Sequence, residues 1–237
     1  LCLAYYDNPM MLHEQFDRLS MLDPRWRDLI TLHVVDDGSP RWPAAQAVAE
    51  WCCSRGMELL PSKLRAWRMD EDIPWNQDAC RNLAVMQAET GGWCLMTDMD
   101  HVPSPELWEH LLKSKLDTRC AYIPARLSMP ERTRYHAHPN SYAMTKATFK
   151  AAGGYDERFR GIYGTDGMFK GRVGAAARIV ELKEPLIRYP REVIADASTT
   201  TLQRKGNENT EKRDAMKRLV KLDPTPRHGL TKWERVL

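Results

Sequence analysis

Trp93-Cys94-Leu95-Met96-Thr97-Asp98-Met99-Asp100-His101-Val102 is the stretch that decides how this chain is read. Trp93 to Thr97 is a short apolar run that reads as a buried strand, and it delivers two carboxylates just past its end. Residues i and i+2 of an extended segment project to the same side, so Asp98 and Asp100 face one way. Open α/β folds bind ligands at the carboxyl edge of a parallel sheet. A carboxylate pair placed there suits a hard cation, because Mg²⁺ and Mn²⁺ take oxygen ligands and are commonly shared with substrate phosphates. The competing reading is a solvated turn, since Asp is a frequent turn former.

The segments on either side supply the sheet that this reading needs. Upstream, Leu1–Tyr6 reads as a first strand, with Asn8 and Pro9 opening a helix that carries Leu12, Phe16, Leu19 and Leu22 at helical spacing. Leu29–Val35 is a second strand closed by Asp36-Asp37-Gly38-Ser39, and Pro43–Arg55 is a helix stopped by Gly56. Met57–Leu60 reads as a third strand and Pro74–Thr90 as a helix ended by Gly91-Gly92. This β-α-β-α-β-α-β order predicts a mostly parallel sheet covered on both faces. Downstream, Ser104-Pro105 starts a helix to about Lys115, and Cys120–Ile123 is a further strand. Pro124–Pro139 is polar and reads as a surface loop or an irregular strand pair. A strand over Asn140–Met144, a helix over Thr145–Ala152 and a last strand over Arg178–Leu182 follow. From Gln203 the chain is polar, and Glu208–Leu222 has the pattern of a helix with Ala215, Leu219 and Leu222 on one side.

Composition sets outer limits. The 237 residues, 43% hydrophobic and 28% charged, suit a globular protein with one sizeable core. No stretch approaches the ~20 apolar residues of a membrane span, and no signal segment opens the chain, so a cytosolic location is expected. The first residue, Leu1, already lies in a strand, as if an amino-terminal piece had been trimmed. Cys2, Cys52, Cys53, Cys80, Cys94 and Cys120 show no Cys-x-x-Cys spacing and read as buried thiols. A formal charge of +3 is too small to imply nucleic-acid or membrane binding. Basic residues do gather locally, in Arg126, Arg132 and Arg134 and in a tail that includes Arg204, Lys205, Arg213 and Arg218. No Gly-x-Gly-x-x-Gly follows the first strand, which argues against a dinucleotide oxidoreductase.

Tyr5-Tyr6-Asp7-Asn8, Val35-Asp36-Asp37-Gly38-Ser39, Arg81-Asn82-Leu83-Ala84 and Thr97-Asp98-Met99-Asp100, in this order, resemble the GT-A type nucleotide-sugar glycosyltransferases, family 2-like. Gly153-Gly154-Tyr155-Asp156-Glu157-Arg158-Phe159, with Asp166 and Phe169, is similar to the galactosyltransferase segment that carries the catalytic acidic residue. The resemblance covers roughly residues 1–190. It implies a single Rossmann-like GT-A domain over residues 1–200, with a nucleotide-binding half over about 1–102 and an acceptor-binding half over about 103–200. A basic, partly helical extension over 201–237 completes the expected organisation.

The resemblance also implies roles. Ala4, Tyr5, Tyr6, Asp7, Asp36, Asp37, Asn76, Arg81 and Asp98 would contact the donor, with Asp36 on the base and Arg81 on phosphate or base. Asp98 and Asp100 would hold Mn²⁺ or Mg²⁺. Relatives place a His after the last strand, but Arg188–Asp196 contains none, so Asp196 becomes the candidate third ligand, with His228 behind it. Asp166 would be the base of an inverting transfer, with Asp156 and Glu157 as lesser candidates and a helix cap as the competing reading. Tyr163, Gly164 and Thr165 would meet the acceptor. His136 and His138 could form a metal pair or touch the acceptor, against the usual solvated loop histidine. The expected activity is transfer of a sugar from a nucleotide diphosphate, UDP by resemblance, to a hydroxyl of a saccharide or of a hydroxymethylated pyrimidine in DNA. The alternatives are a nucleotidyltransferase and a non-catalytic nucleotide-sugar binding module.

Overall fold

The computed structural model describes residues 1–199 and 207–237. Gln203, Arg204, Lys205 and the expected boundary at 200–201 lie outside the described residues. The first part alternates as the sequence predicts: β1 (Cys2–Tyr5), α1 (Pro9–Ser20), a short α2 (Pro24–Arg27), β2 (Thr31–Asp36), α3 (Ala44–Arg55), β3 (Lys63–Met69), α4 (Gln77–Gln87) and β4 (Trp93–Thr97). Then come β5 (His101–Pro103), α5 (Pro105–Lys113), β6 (Cys120–Ser128), β7 (Thr133–Tyr135), β8 (Tyr142–Thr145), α6 (Lys146–Ala151), α7 (Asp166–Ala176), β9 (Arg178–Arg188), α8 (Asn207–Leu222) and β10 (Trp233–Arg235).

Among the described residues the strands form one ten-stranded sheet, in the order β10-β3-β2-β1-β4-β8-β6-β9-β5, with β7 paired to β6. The run β3-β2-β1-β4 is parallel, as expected. Beyond it the sheet is mixed: β8 is antiparallel to β4 and β6, β6 is parallel to β9, and β5 is antiparallel to β9.

Alternation along the central strands feeds two cores. Leu3, Tyr5, Leu32, Val34 and Leu95 face α1, α3 and α5 and pack with Phe16, Trp51 and Trp108. Cys2, Val35, Cys94 and Met96 face the other way and pack with Cys80, Leu83, Phe149 and Phe169. A central strand buried on both faces has no polar side, which is why its sequence is a continuous apolar run. Cys2, Cys80, Cys94 and Cys120 are buried as expected, whereas Cys52 is half-buried against the core and Cys53 is exposed on the outward side of α3.

Several expected elements move. Met57–Leu59 is a 3₁₀ turn with Met57 exposed, and the third strand lies at Lys63–Met69 instead. Its Lys63, Arg65 and Arg68 break the apolar run because this strand lies next to the sheet edge, where such side chains can reach solvent or an acidic partner. β6 continues through Pro124 to Ser128 and pairs antiparallel with β7, so of the two readings of Pro124–Pro139 the irregular strand pair holds and the loop does not; the register of β6 against β9 slips between Pro124 and Ala125. An irregularity at that point is what lets a proline sit inside a strand. β9 likewise runs to Arg188, beyond the expected end at Leu182. The carboxyl-terminal segment is more than an appended helix, because β10 pairs antiparallel with β3 and covers its edge. On α8 the expected apolar side is inverted: Ala215, Leu219 and Leu222 are exposed, and Arg213, Met216 and Val220 are the more covered residues. No helix among the described residues is long and apolar enough to cross a membrane.

Candidate active site

Because β1, β2, β3 and β4 run parallel, their carboxyl ends lie along one edge, and a cleft of about 870 Å³ opens there. Ala4, Tyr5 and Tyr6 from β1, Asp37 after β2, Asp72 after β3, and Asp98 and Asp100 after β4 form one side. Arg126, Tyr135, His136, His138, Asn140, Tyr163, Gly164, Asp166, Arg188 and Arg213 close the rest.

The Asp98–Asp100 segment is held from several directions. The strand ends at Thr97, and a turn closed by His101 N donating to Asp98 O at 3.0 Å buries Met99 in the core and brings Asp98 and Asp100 to the cleft. The carboxylates therefore sit on a turn, as the competing reading had it, and still line the site. Gln15 Nε2 donates to Met99 O and His101 O at 2.9 and 3.0 Å, and Tyr189 N donates to Asp100 O at 2.9 Å. An oxygen of Asp98, an oxygen of Asp100 and a ring nitrogen of His101 lie within 4.8 Å of one another. His101 Nε2 lies 3.3 Å from Arg126 Nη1, which can only donate, so Nε2 is the acceptor and Nδ1 carries the proton. Nδ1–H then donates to Asp100 Oδ1 at 2.6 Å, so His101 orients Asp100.

Charge around Asp98 is tightly set. Arg81, buried in α4, donates to Asp98 Oδ1 with its guanidinium 5.3 Å from the Tyr155 ring. His138 Nε2 lies 3.2 Å from Asp98 Oδ2. Burial opposes ionisation of Asp98, but His138, Arg81, His101 and Arg126 together outweigh it and lower its pKa to about 2. Burial pushes His138 down to about 4, so above that pH its ring is neutral and Arg81 is the cation next to Asp98. Across the cleft, Asp166 is the first residue of α7, and Asn140 Nδ2 donates to its Oδ1 at 2.5 Å. Burial raises the Asp166 pKa despite that bond and the charge of Arg81. A carboxylate with a raised pKa beside an open cleft is suited to accept a proton.

Comparison of the sequence with family models and with curated proteins gives no match. Solved structures do match. The mannosyltransferase PcManGT from Pyrobaculum calidifontis, in complex with GDP-Man and Mn²⁺, aligns over 96% of this chain and 64% of its own, with TM-score 0.59 and 15% identity. The 1–349 fragment of TarS from S. aureus, in complex with UDP, aligns over 89% of this chain and 67% of the fragment, with TM-score 0.60 and 15% identity. The catalytic domain of Drosophila β1,4-galactosyltransferase 7, in complex with xylobiose, gives 90%, 77%, 0.55 and 12% for the same four measures. This chain has the GT-A glycosyltransferase fold. It spans 64% of the length of PcManGT and 42% of the length of TarS.

Within the GT-A frame, the structure divides the expected site residues. Ala4, Tyr5, Tyr6, Asp37, Asp98, Asp100, His136, His138, Tyr163, Gly164 and Asp166 are brought to the cleft. Asp36, expected on the nucleotide base, is buried below it, and its carboxylate accepts from Ser39 N, Ala44 N and Arg68 Nη1 at 2.7, 2.8 and 3.0 Å. It closes the turn and caps α3. Asp7 is similarly engaged by Arg41 and Trp42. Asn76 is fully buried behind Asp37, to which its N–H donates at 3.1 Å. Arg81, expected on phosphate or base, is buried and does not line the cleft, and it reaches the cleft through Asp98. Thr165 is buried as the N-cap of α7, so the cap position belongs to it and Asp166 follows.

The expected third metal ligands are elsewhere. Both oxygens of Asp196 accept backbone N–H groups at the start of α1, from Met10 at 2.7 Å and Met11 at 2.9 Å. It caps α1 in place of Asn8, whose side chain accepts from Tyr6 N. His228 packs against Asn82, at 3.1 Å. Asp156 pairs with Arg158, and Glu157 accepts from Asn82 and Leu230 N; both anchor the carboxyl-terminal segment. Sequence reading missed Asp72, Trp75, Tyr135, Arg188 and Arg213 as cleft residues. Asp72 had a signal, since it follows β3 as Asp37 follows β2, but the misplaced third strand hid it. Trp75, at φ 61° and 4.4 Å from the Tyr163 ring, had none.

Proposed function

We propose that this chain is a divalent-metal-dependent glycosyltransferase that moves a sugar from a nucleotide diphosphate, UDP first among the candidates, to an acceptor hydroxyl with inversion. The observation that carries the reading is the pairing of Asp98 and Asp100 at the carboxyl edge of the parallel strands with Asp166 across the same cleft. The cleft has the size of a small-molecule site. The GT-A fold and the nucleotide-sugar complexes of its structural neighbours support the same reading.

The donor set fits Mn²⁺ or Mg²⁺: an oxygen of Asp98 and one of Asp100 lie within 4.8 Å of each other at the cleft, and hard cations take such carboxylate ligands. When bound, such an ion supplies positive charge against the diphosphate that leaves. The chain's own residues set the stage for it. Arg81 keeps Asp98 ionised, and His101 fixes the orientation of Asp100. Tyr6, whose hydroxyl donates to Asp72 at 3.2 Å, stands with Asp37 where a nucleotide base would lie along the strand ends. Asn140 holds the Asp166 carboxylate, which accepts the proton of the attacking hydroxyl. Tyr163 and Gly164 form the wall next to Asp166, on the acceptor side. A saccharide acceptor is favoured over DNA, because Arg126 is already engaged with Tyr135 and His136 inside the cleft.

The test is release of free nucleotide diphosphate from a panel of UDP- and GDP-sugars with Mn²⁺, Mg²⁺ or EDTA, for the native chain and for Asp100→Ala and Asp166→Asn. Metal-dependent release, lost in both variants, supports the proposal. Donor binding without release, with saccharide acceptors present, favours the binding module.

A further inference from the structure

The cleft wall includes one side chain from the carboxyl-terminal helix, Arg213. Two features place it there. Asn209, one helical turn earlier on α8, accepts from Tyr163 N at 2.8 Å and donates to Tyr163 O at 3.2 Å. This two-point contact docks the helix on the Tyr163–Asp166 loop. Gly164 then lies under the guanidinium: at φ 86° it adopts a conformation that favours glycine, and a Cβ there would lie 3.4 Å from Arg213 Nη1.

Arg213 is also unlike the other arginines of the cleft. Arg126 donates to His136 O at 2.8 Å and stacks on Tyr135, and Arg188 lies 3.5 Å from Asp100. Among the described residues Arg213 makes no hydrogen bond: its Nε is buried without a partner, and the nearest carboxylate oxygen, on its neighbour Asp214, is 4.0 Å away. A buried guanidinium nitrogen without an acceptor is costly, so the position calls for an anion supplied from outside the chain. The cleft presents five carboxylates, Asp37, Asp72, Asp98, Asp100 and Asp166, which would repel a diphosphate. A planar guanidinium is the side chain best shaped to grip phosphate oxygens.

We infer that Arg213 is a substrate-binding residue that contacts the diphosphate of the nucleotide, so that the carboxyl-terminal helix completes the donor site. This rests on the glycosyltransferase reading and extends it. The experiment is calorimetric titration of the native chain, Arg213→Gln and Arg218→Gln with UDP, GDP, uridine and guanosine in Mn²⁺, with thermal melting as the check of folding. Arg218 is exposed on the same helix and controls for charge. The expected result is that Arg213→Gln weakens the preferred nucleotide diphosphate roughly 10- to 100-fold, the worth of a hydrogen bond to a charged group. The nucleoside affinity stays unchanged, and Arg218→Gln behaves as native. Equal diphosphate affinity in native and Arg213→Gln overturns the assignment and leaves the glycosyltransferase reading standing. Failure of the native chain to bind either diphosphate overturns both. Arg213→Gln gives up only the 4.0 Å approach to the exposed Asp214, a surface pair worth little, so a nearly unchanged melting temperature is expected beside the lost affinity.

Discussion

The tips of β1 and β2 and the tip of β4 are built alike in sequence, each an apolar strand followed at once by aspartates, yet the structure uses them differently. At β1 and β2 the backbone claims the carboxylates: Asp7 holds Arg41 and Trp42, and Asp36 caps α3. At β4, among the described residues, no main-chain N–H donates to the carboxylate of Asp98 or Asp100. Their partners are side chains, Arg81 and His138 at Asp98 and His101 and Arg188 at Asp100, and both residues line the cleft. A strand-end carboxylate is available for a ligand when no N–H group competes for it, and the helix that follows decides this. Asp36 has α3 starting eight residues on; Asp98 is followed by β5, and α5 takes its cap from Ser104.

This contrast gives predictions of decreasing size. At the β4 side of the cleft, Asp166→Asn should lower turnover about 10³-fold and Asp100→Ala about 10²-fold or more, each with a melting temperature close to native; initial rates of nucleotide diphosphate release measure this. At β2 the pattern should reverse. Asp36→Ala leaves Arg68 and two buried N–H groups unmatched, and should cost about 3 kcal/mol in urea unfolding, whatever its effect on donor affinity. Stability of the native chain should also fall by about 2 kcal/mol between pH 7 and pH 5 on account of His33 within β2. Burial lowers its pKa from 6.5 to about 3, and both ring nitrogens lack partners. The unfolded state therefore takes up a proton below pH 6.5 that the folded state refuses until about pH 3, and stability declines throughout that window as pH falls. His33→Leu should flatten the decline in urea titrations at the two pH values. The smallest effect belongs to Asp196→Ala, which should cost about 1 kcal/mol as a lost cap of α1 and leave Mn²⁺ affinity unchanged. A clear drop in Mn²⁺ binding there would put Asp196 back among the ligands.

Legibility in the sequence followed the range of the interactions. Asp98 and Asp100 were readable because five residues of apolar strand locate the sheet edge, although a turn, and not the strand period, is what turns both toward the cleft. α1, α3 and α5 were readable from apolar spacing and a proline near their starts. β3 was not, because Lys63, Arg65 and Arg68 obscure its alternation; Arg68 is tolerated there because Asp36 on the next strand pairs with it. The interior of β6 was hidden by Pro124, and β10 is three exposed residues whose pairing with β3 no local pattern announces. The face of α8 was misread for a related reason. Asn209 docks the helix by polar contact with Tyr163, 46 residues upstream, and the covered apolar residues are Met216 and Val220 in place of Ala215, Leu219 and Leu222.

The sequence by itself determined the parallel half of the sheet, the edge at which a ligand would bind, and the two carboxylates that face it. These follow from strand period, helix spacing and chain order, all of which act within a few residues. The tertiary structure alone decided that Asp37 and not Asp36 meets the cleft, that Arg81 acts through Asp98, that Asp196 caps a helix, and that Asn140, His138 and Arg213 join Asp166 and Asp98 around one space. Each of those outcomes depends on which hydrogen-bonding group arrives first from a distant part of the chain, and that competition is settled only when the elements pack.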